Sequence, residues 1–177
     1  MSLSPIQHPQ CSVGLMKALV HNIEVTPRQM DGLRDVRGDV IRRRLYSEHN
    51  FTVKEVRSIV GYHIKTELNE EELEPSLEQL FTDPIIEQGT INSHLLDQSD
   101  IFGETPDCVI QVGFKPGVTD NSGTAALDGF NTLFSEDIKD AQISTSITYI
   151  FYGVSYDSDL NWLADQLYNN LIERVAI

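Results

Sequence analysis

Leu80-Phe81-Thr82-Asp83-Pro84-Ile85-Ile86-Glu87 returns in outline near the other end of the chain as Gln166-Leu167-Tyr168-Asn169-Asn170-Leu171-Ile172-Glu173. Each stretch reads as the end of a helix, a polar turn, and an apolar pair entering a strand. Tyr62-His63-Ile64 and Thr148-Tyr149-Ile150 lie at the same offset. Outward from these landmarks, both halves give one order of elements: strand, helix, long strand region, helix, short strand. A repeat of about eighty residues implies tandem duplication. Each copy, with a short sheet and two helices, leaves one apolar sheet face or edge uncovered. Two copies can cover each other through a pseudo-two-fold contact.

In the first half, Lys17 to Val25 is expected to be a strand. Thr26-Pro27 reads as a helix cap followed by proline at the first helical position. Met30, Leu33, Val36, Val40, Ile41 and Leu45 then recur at three- and four-residue steps and form an apolar stripe. Val53 to Leu68 is a strand region, broken or bent near Gly61. Glu70 to Phe81 is a second helix, capped by Asn69 and disturbed by Pro75. Ile85 to Asn92 is a short strand.

Residues 94–106 are polar and read as a linker. Beyond them Asp107 to Lys115 is a strand, Pro116 to Gly123 a glycine-bearing turn, and Ala126 to Phe134 a helix. Ala141 to Gly153, rich in β-branched and aromatic residues, is a long strand. Leu160 to Leu167 is a helix and Leu171 to Ile177 a last strand. The division is a leader at 1–16, partly vector-derived, a first repeat at 17–93, a linker at 94–106 and a second repeat at 107–177. The ending Arg174-Val175-Ala176-Ile177, without a polar tail, suggests a piece of a longer polypeptide.

The chain has 177 residues and a formal charge of −14. That balance repels phosphate backbones and anionic lipid, so nucleic acid is not an expected partner. No run of eighteen apolar residues occurs, so no membrane span is expected. Residues 1–10 lack the pattern of an export signal, and Cys11 and Cys108 read as free thiols in a reducing cytoplasm. Eight of the thirteen basic residues fall between Arg28 and Arg57, while Ile59 to Asp107 holds twelve acidic residues and one lysine. The face of Arg34, Arg37 and Arg44 is therefore either a solvated surface or a docking surface for an acidic partner.

Little in the sequence points to chemistry. No two of the five histidines lie at metal-ligand spacing, and no Cys-x-x-Cys occurs. Cys108 has no local cation or helix end to activate it. No nucleophile-and-base pair and no phosphate-binding glycine motif is visible. The distinctive segment is Gly113-Phe114-Lys115-Pro116-Gly117-Val118-Thr119-Asp120-Asn121-Ser122-Gly123. Pro116-Gly117 sets a tight turn, and Asp120 or Asn121 can cap the next helix. Free amides there, beside Lys115, can hold a phosphate or carboxylate.

The segment Val112 to Gly123 resembles the strand-to-helix turn of PurS-type proteins, and Leu167 to Glu173 resembles that family's closing helix and strand. Leu33-Arg34-Asp35-Val36-Arg37-Gly38 and Phe81 to Glu87 are similar to the preceding repeat of fused PurS-PurL enzymes. One departure is Asn169-Asn170, where the family more often has a small residue and proline. The resemblance implies an α+β fold of two PurS-like strand-helix-strand-helix-strand repeats. They would have antiparallel sheets, helices packed on one face, and a pseudo-two-fold relation.

The resemblance also implies membership of phosphoribosylformylglycinamidine synthase, a ligase of de novo purine biosynthesis. The parent enzyme uses ATP, magnesium and ammonia released from glutamine. The PurS part makes no bonds; it associates with the synthetase and glutaminase parts. No catalytic, metal or cofactor residue is expected in this fragment. Lys115, Pro116, Gly117, Asp120, Asn121, Arg34, Arg37 and Arg44 are the candidate interdomain contacts. The alternative is a regulatory α+β module that binds an amino acid or nucleotide between its repeats.

Overall fold

The computed structural model describes residues 18–134, 138, 140–155 and 158–177. The expected leader, Lys17 and Cys11 lie outside the described residues. In chain order the elements are β1 (Leu19–Pro27), α1 (Val36–His49), β2 (Glu55–Thr66), α2 (Glu70–Ser76), a π-helical turn (Leu77–Phe81) and β3 (Glu87–Ile91). A 3-10 turn (Leu95–Asp97) and the single-turn α3 (Ser99–Phe102) follow. Then come β4 (Cys108–Phe114), α4 (Asn121–Leu133), β5 (Gln142–Tyr152), α5 (Leu160–Asp165) and β6 (Glu173–Ala176).

The fold is α+β, with one six-stranded antiparallel sheet in the order β3-β1-β2-β5-β4-β6. Two sheets were expected and one is found. β2 and β5 would each leave a long bare edge, and they remove both edges by pairing from Glu55↔Tyr152 to Lys65↔Gln142. Val60 sits opposite Ile147 at the centre of that pairing.

One device recurs in the two halves. Asp35 caps α1 by accepting from Gly38 N–H at 2.8 Å, and its other oxygen accepts from Ser58 N–H on β2 at 2.5 Å. Asp120 caps α4 by accepting from Gly123 N–H at 2.7 Å and accepts from Thr145 N–H on β5 at 2.6 Å. The Ser58 and Thr145 hydroxyls donate to the same carboxylates. Each glycine lets the helix start close to a strand: a Cβ on Gly38 would lie 1.9 Å from the Val56 carbonyl oxygen, and one on Gly123 would lie 2.6 Å from that of Ile143. The closing turns match as well. Asp83 N–H donates to Glu87 and Asn169 N–H donates to Glu173, at 2.9 and 2.7 Å.

Helices α1, α2, α4 and α5 cover one sheet face, and the cores beneath them mix the halves. Ile41 and Leu45 of α1 share a cluster with Cys108, Ile110 and Val112 of β4 and Leu163 of α5. Phe130 of α4 shares another with Ile23, Ile64, Leu73 and Phe81. The segment expected to be a plain linker covers part of the second sheet face. Leu95 and Phe102 are buried there against Ile59, Ile150 and Tyr152.

Three local readings are corrected: the start of α1, its buried face and the break in β2. β1 continues through Pro27, which pairs with Glu87, so the cap of α1 is Asp35, nine residues after the expected Thr26. Its buried face is Gly38, Ile41 and Leu45, while Met30, Val36 and Val40 are exposed. β2 runs unbroken through Gly61, whose missing side chain makes room for the Ser146 hydroxyl. Pro75 removes one helical N–H, and the helix widens into the π turn one residue after Ser76. Counted from the aspartate-held Ser58 and Thr145, Tyr62 and Tyr149 stand at the same distance, four residues on, and Thr148 does not. The shift by one matters because Thr148 points to the opposite sheet face.

Candidate functional site

A cleft of about 610 Å³ opens on the sheet face away from the four longer helices. One wall is the turn after β4. Pro116 and Gly117 form its corner, Gly117 has φ of +85°, and Val118 N–H donates back to the Lys115 carbonyl at 3.1 Å. This is the turn type that needs glycine at its third position. The opposite wall is the strand Arg174, Val175 and Ala176, and the floor is Gln111, Gly113, His63, Ser144 and Ser146. Alternation along β4, β5, β2 and β6 puts these polar side chains on the face the longer helices leave uncovered.

The structure joins residues that are distant in sequence into a hydrogen-bonded row on the floor. His63 Nδ1 lies 2.8 Å from Asn22 Oδ1, and His63 Nε2 lies 3.0 Å from the Ser146 hydroxyl. With Asn22 accepting, Nδ1 carries the proton and Nε2 accepts from Ser146. Gln111 Nε2 in turn donates to the Ser146 oxygen at 3.3 Å. Burial lowers the His63 pKa, with the positive charge of Arg174 acting in the same direction and Glu24 opposing it, so the ring is neutral near pH 7. This is a hydroxyl-and-base pair that sequence reading missed, because its members come from different halves and share no local motif. Ser146 is only 6% exposed and its oxygen is engaged by Gln111, so the row holds the floor rigid and presents no open nucleophile.

Of the contact residues that the sequence singles out, Lys115, Pro116, Gly117 and Asp120 line this cleft. Lys115 Nζ donates to the Asn170 carbonyl, which fixes the turn against the 169–172 turn. Asp120 is in the wall, with both oxygens occupied by Gly123 and Thr145. Asn121 opens α4 and is exposed. The three expected arginines meet different surroundings. Arg34 precedes the Asp35 cap, Arg37 is exposed on α1, and Arg44 donates to the Gln166 carbonyl at the end of α5. Arg174, which sequence reading did not single out, belongs to the cleft and makes no ion pair among the described residues. Cys108 is buried, and burial with the neighbouring Asp107 raises its pKa, as suits an inert thiol.

Among the described residues no group of three or more His, Cys, Asp or Glu side chains is placed to hold a metal, and no helix is long and apolar enough to cross a membrane. No protein-family model matches the chain, and no curated protein matches it. Among solved structures it is similar to the crystal structure of the purS subunit of phosphoribosylformylglycinamidine synthase from Thermotoga maritima. The identity is 20% and the TM-score 0.31, over 42% of this chain and 92% of that one.

Proposed function

We propose that this chain is a tandem PurS-like scaffold of a phosphoribosylformylglycinamidine synthase of the fused type. It would hold the ATP- and magnesium-using synthetase part and the glutaminase part in register while ammonia passes between them. The observation that carries the reading is the doubled aspartate device, Asp35 with Gly38 and Ser58 and Asp120 with Gly123 and Thr145. It falls on two of the stretches that resemble PurS proteins, Leu33 to Gly38 and Val112 to Gly123. Ser58 and Thr145 each lie two residues before the facing pair Val60↔Ile147, as a pseudo-two-fold axis through that pair requires. The imidazole, hydroxyl and amides of the floor satisfy one another, which suits a brace better than a reaction centre. The Lys115–Asp120 turn is the surface assigned to partner contact.

The direct test mixes the purified chain with the synthetase and glutaminase parts. Co-elution and restored glutamine-dependent amidation of formylglycinamide ribonucleotide are expected. Absence of both binding and rescue would sink the reading. The size of the cleft, within the range of small-ligand sites, favours the regulatory module as the second reading. A large thermal shift with one amino acid or nucleotide would select it.

A further inference from the structure

The two ends of the uncovered sheet face are built alike and filled differently. At one end the chain covers itself. Residues 94–102 lie across it, with Leu95 and Phe102 buried on Ile59 and Ile150. That segment is held by polar contacts to its backbone and first residue. Glu24 accepts from Leu95 N–H at 2.8 Å and from His94 Nδ1 at 2.8 Å, while Gln29 and Arg57 donate to the Ile101 carbonyl. The cleft occupies the corresponding place at the other end, and no described residue lies across the face there.

Strand register shows which residues correspond. Glu24 faces Gly61 and Gln111 faces Thr148; Thr26 faces Gln88 and Gly113 faces Arg174. Arg28 N–H donates to the Ile86 carbonyl and Lys115 N–H to that of Ile172. Counted from Ser58 and Thr145, Ile59 corresponds to Ser146 and Ile150 to His63. The open end has therefore lost both apolar seats, replaced a carboxylate by the neutral Gln111, and replaced the neutral Gln88 by the cation Arg174. Lys115 keeps the positive charge of Arg28. An occupant with leucine and phenylalanine anchors loses the two isoleucine seats that hold them at the covered end. A carboxylate-bearing occupant finds two cations on opposite walls and a polar floor between them.

We propose that this cleft docks an extended acidic segment of a partner polypeptide, lying across the sheet face as residues 94–102 lie across the other end. The proposal rests on the docking reading of the same turn and names the chemistry of what meets it. Asp120 in the wall keeps its negative charge, with both oxygens accepting from the fold, and the two cations Lys115 and Arg174 outnumber it. The overall charge of −14 repels an acidic partner at a distance. At physiological salt that repulsion is screened beyond about 8 Å, and contact is decided by Arg174 and Lys115.

The probe is fluorescein-labelled hexaglutamate, titrated against the full chain at physiological salt and followed by anisotropy and by backbone amide shifts. Saturable binding is expected with a midpoint below about 1 mM, the range open to a few charge-assisted contacts. Shifts are expected at residues 111–115, 117, 144–146 and 174. Arg174→Glu should weaken binding about tenfold or more, with an unchanged thermal midpoint as the check that the variant folds. Arg43→Glu, an equal charge change on exposed α1, should leave binding unchanged. Four results overturn the proposal: no saturation, shifts confined to α1, equal damage from Arg43→Glu, or displacement by citrate or inorganic phosphate at matched charge, which would mark a small-anion site. The reconstitution above is read separately. If the enzyme parts assemble but hexaglutamate does not bind, the docking reading stands and the acidic chemistry falls. If hexaglutamate binds and reconstitution fails, the cleft stands and the enzyme assignment falls.

Discussion

Asp35 and Asp120 each do two jobs with one carboxylate, closing a helix start and holding it to a strand. Alanine at either removes a cap and strands a Ser58 or Thr145 amide, so each should cost about 2–4 kcal/mol, from roughly 1 for the cap and 1–3 for the unpaired groups. Denaturant midpoints of the two variants check this, and a loss confined to one of them would deny that the devices are equivalent. His63 gives a prediction in pH. Burial lowers its pKa from the ordinary 6.5, so the unfolded chain binds the proton more readily than the folded one. Its contribution to stability is present above pH 6.5 and is lost as pH falls through the depressed folded value. His94 behaves in the opposite sense, because its hydrogen bond to Glu24 raises its pKa. A proton NMR titration should place the His63 midpoint below 6.5 and the His94 midpoint above it. His63→Gln should flatten the loss of stability between pH 7 and 5. An unshifted His63 would contradict the desolvated row with Asn22 and Ser146.

Among the elements, strands and caps were legible in sequence wherever local chemistry decides them. Asn69 caps α2 in a reciprocal box with Glu72, Asp120 caps α4, and β4 and β5 lie within one residue of their expected ends. What was illegible depends on contact. Thr26-Pro27 has the local signature of a helix start, but pairing with β3 holds it in the sheet. The choice of Gly38, Ile41 and Leu45 as the buried face of α1 follows from the Val56 carbonyl beneath Gly38, which periodicity alone cannot show. The cleft was half legible: Pro116-Gly117 announced its turn, while Arg174, His63 and Ser146 reach it only through strand register. Residues 94–106 read as a linker because their polar residues outnumber two decisive apolar ones. Phe102→Ala should cost about 3 kcal/mol, the usual loss for a buried phenylalanine, and should expose Tyr152. A loss under about 0.5 kcal/mol, measured by urea unfolding, would return the segment to linker status.

At the scale of the whole molecule, the halves that sequence separates are not separable in packing. Ile41 and Leu45 of the first half rest among Cys108, Ile110 and Val112 of the second, and Phe130 of the second rests among Ile23, Ile64 and Leu73 of the first. β2 and β5 protect each other's edges along their whole paired length. A polypeptide cut at Gly103, a positive-φ residue with open space where a side chain would stand, therefore yields two pieces that each lack a partner for their long helix and expose a long strand edge. Neither residues 1–103 nor residues 104–177 alone should unfold cooperatively as a monomer. Mixed in equal amounts they should recover the near-ultraviolet circular dichroism of the intact chain, because the cut removes no buried contact. The recovered complex should depend on concentration, since the connection at Gly103 supplies only effective concentration. A single piece that shows a sharp, concentration-independent transition would mean that its core closes within one half. The mixed clusters would then contribute little to stability, and the single brace proposed for this chain would be two independent beads.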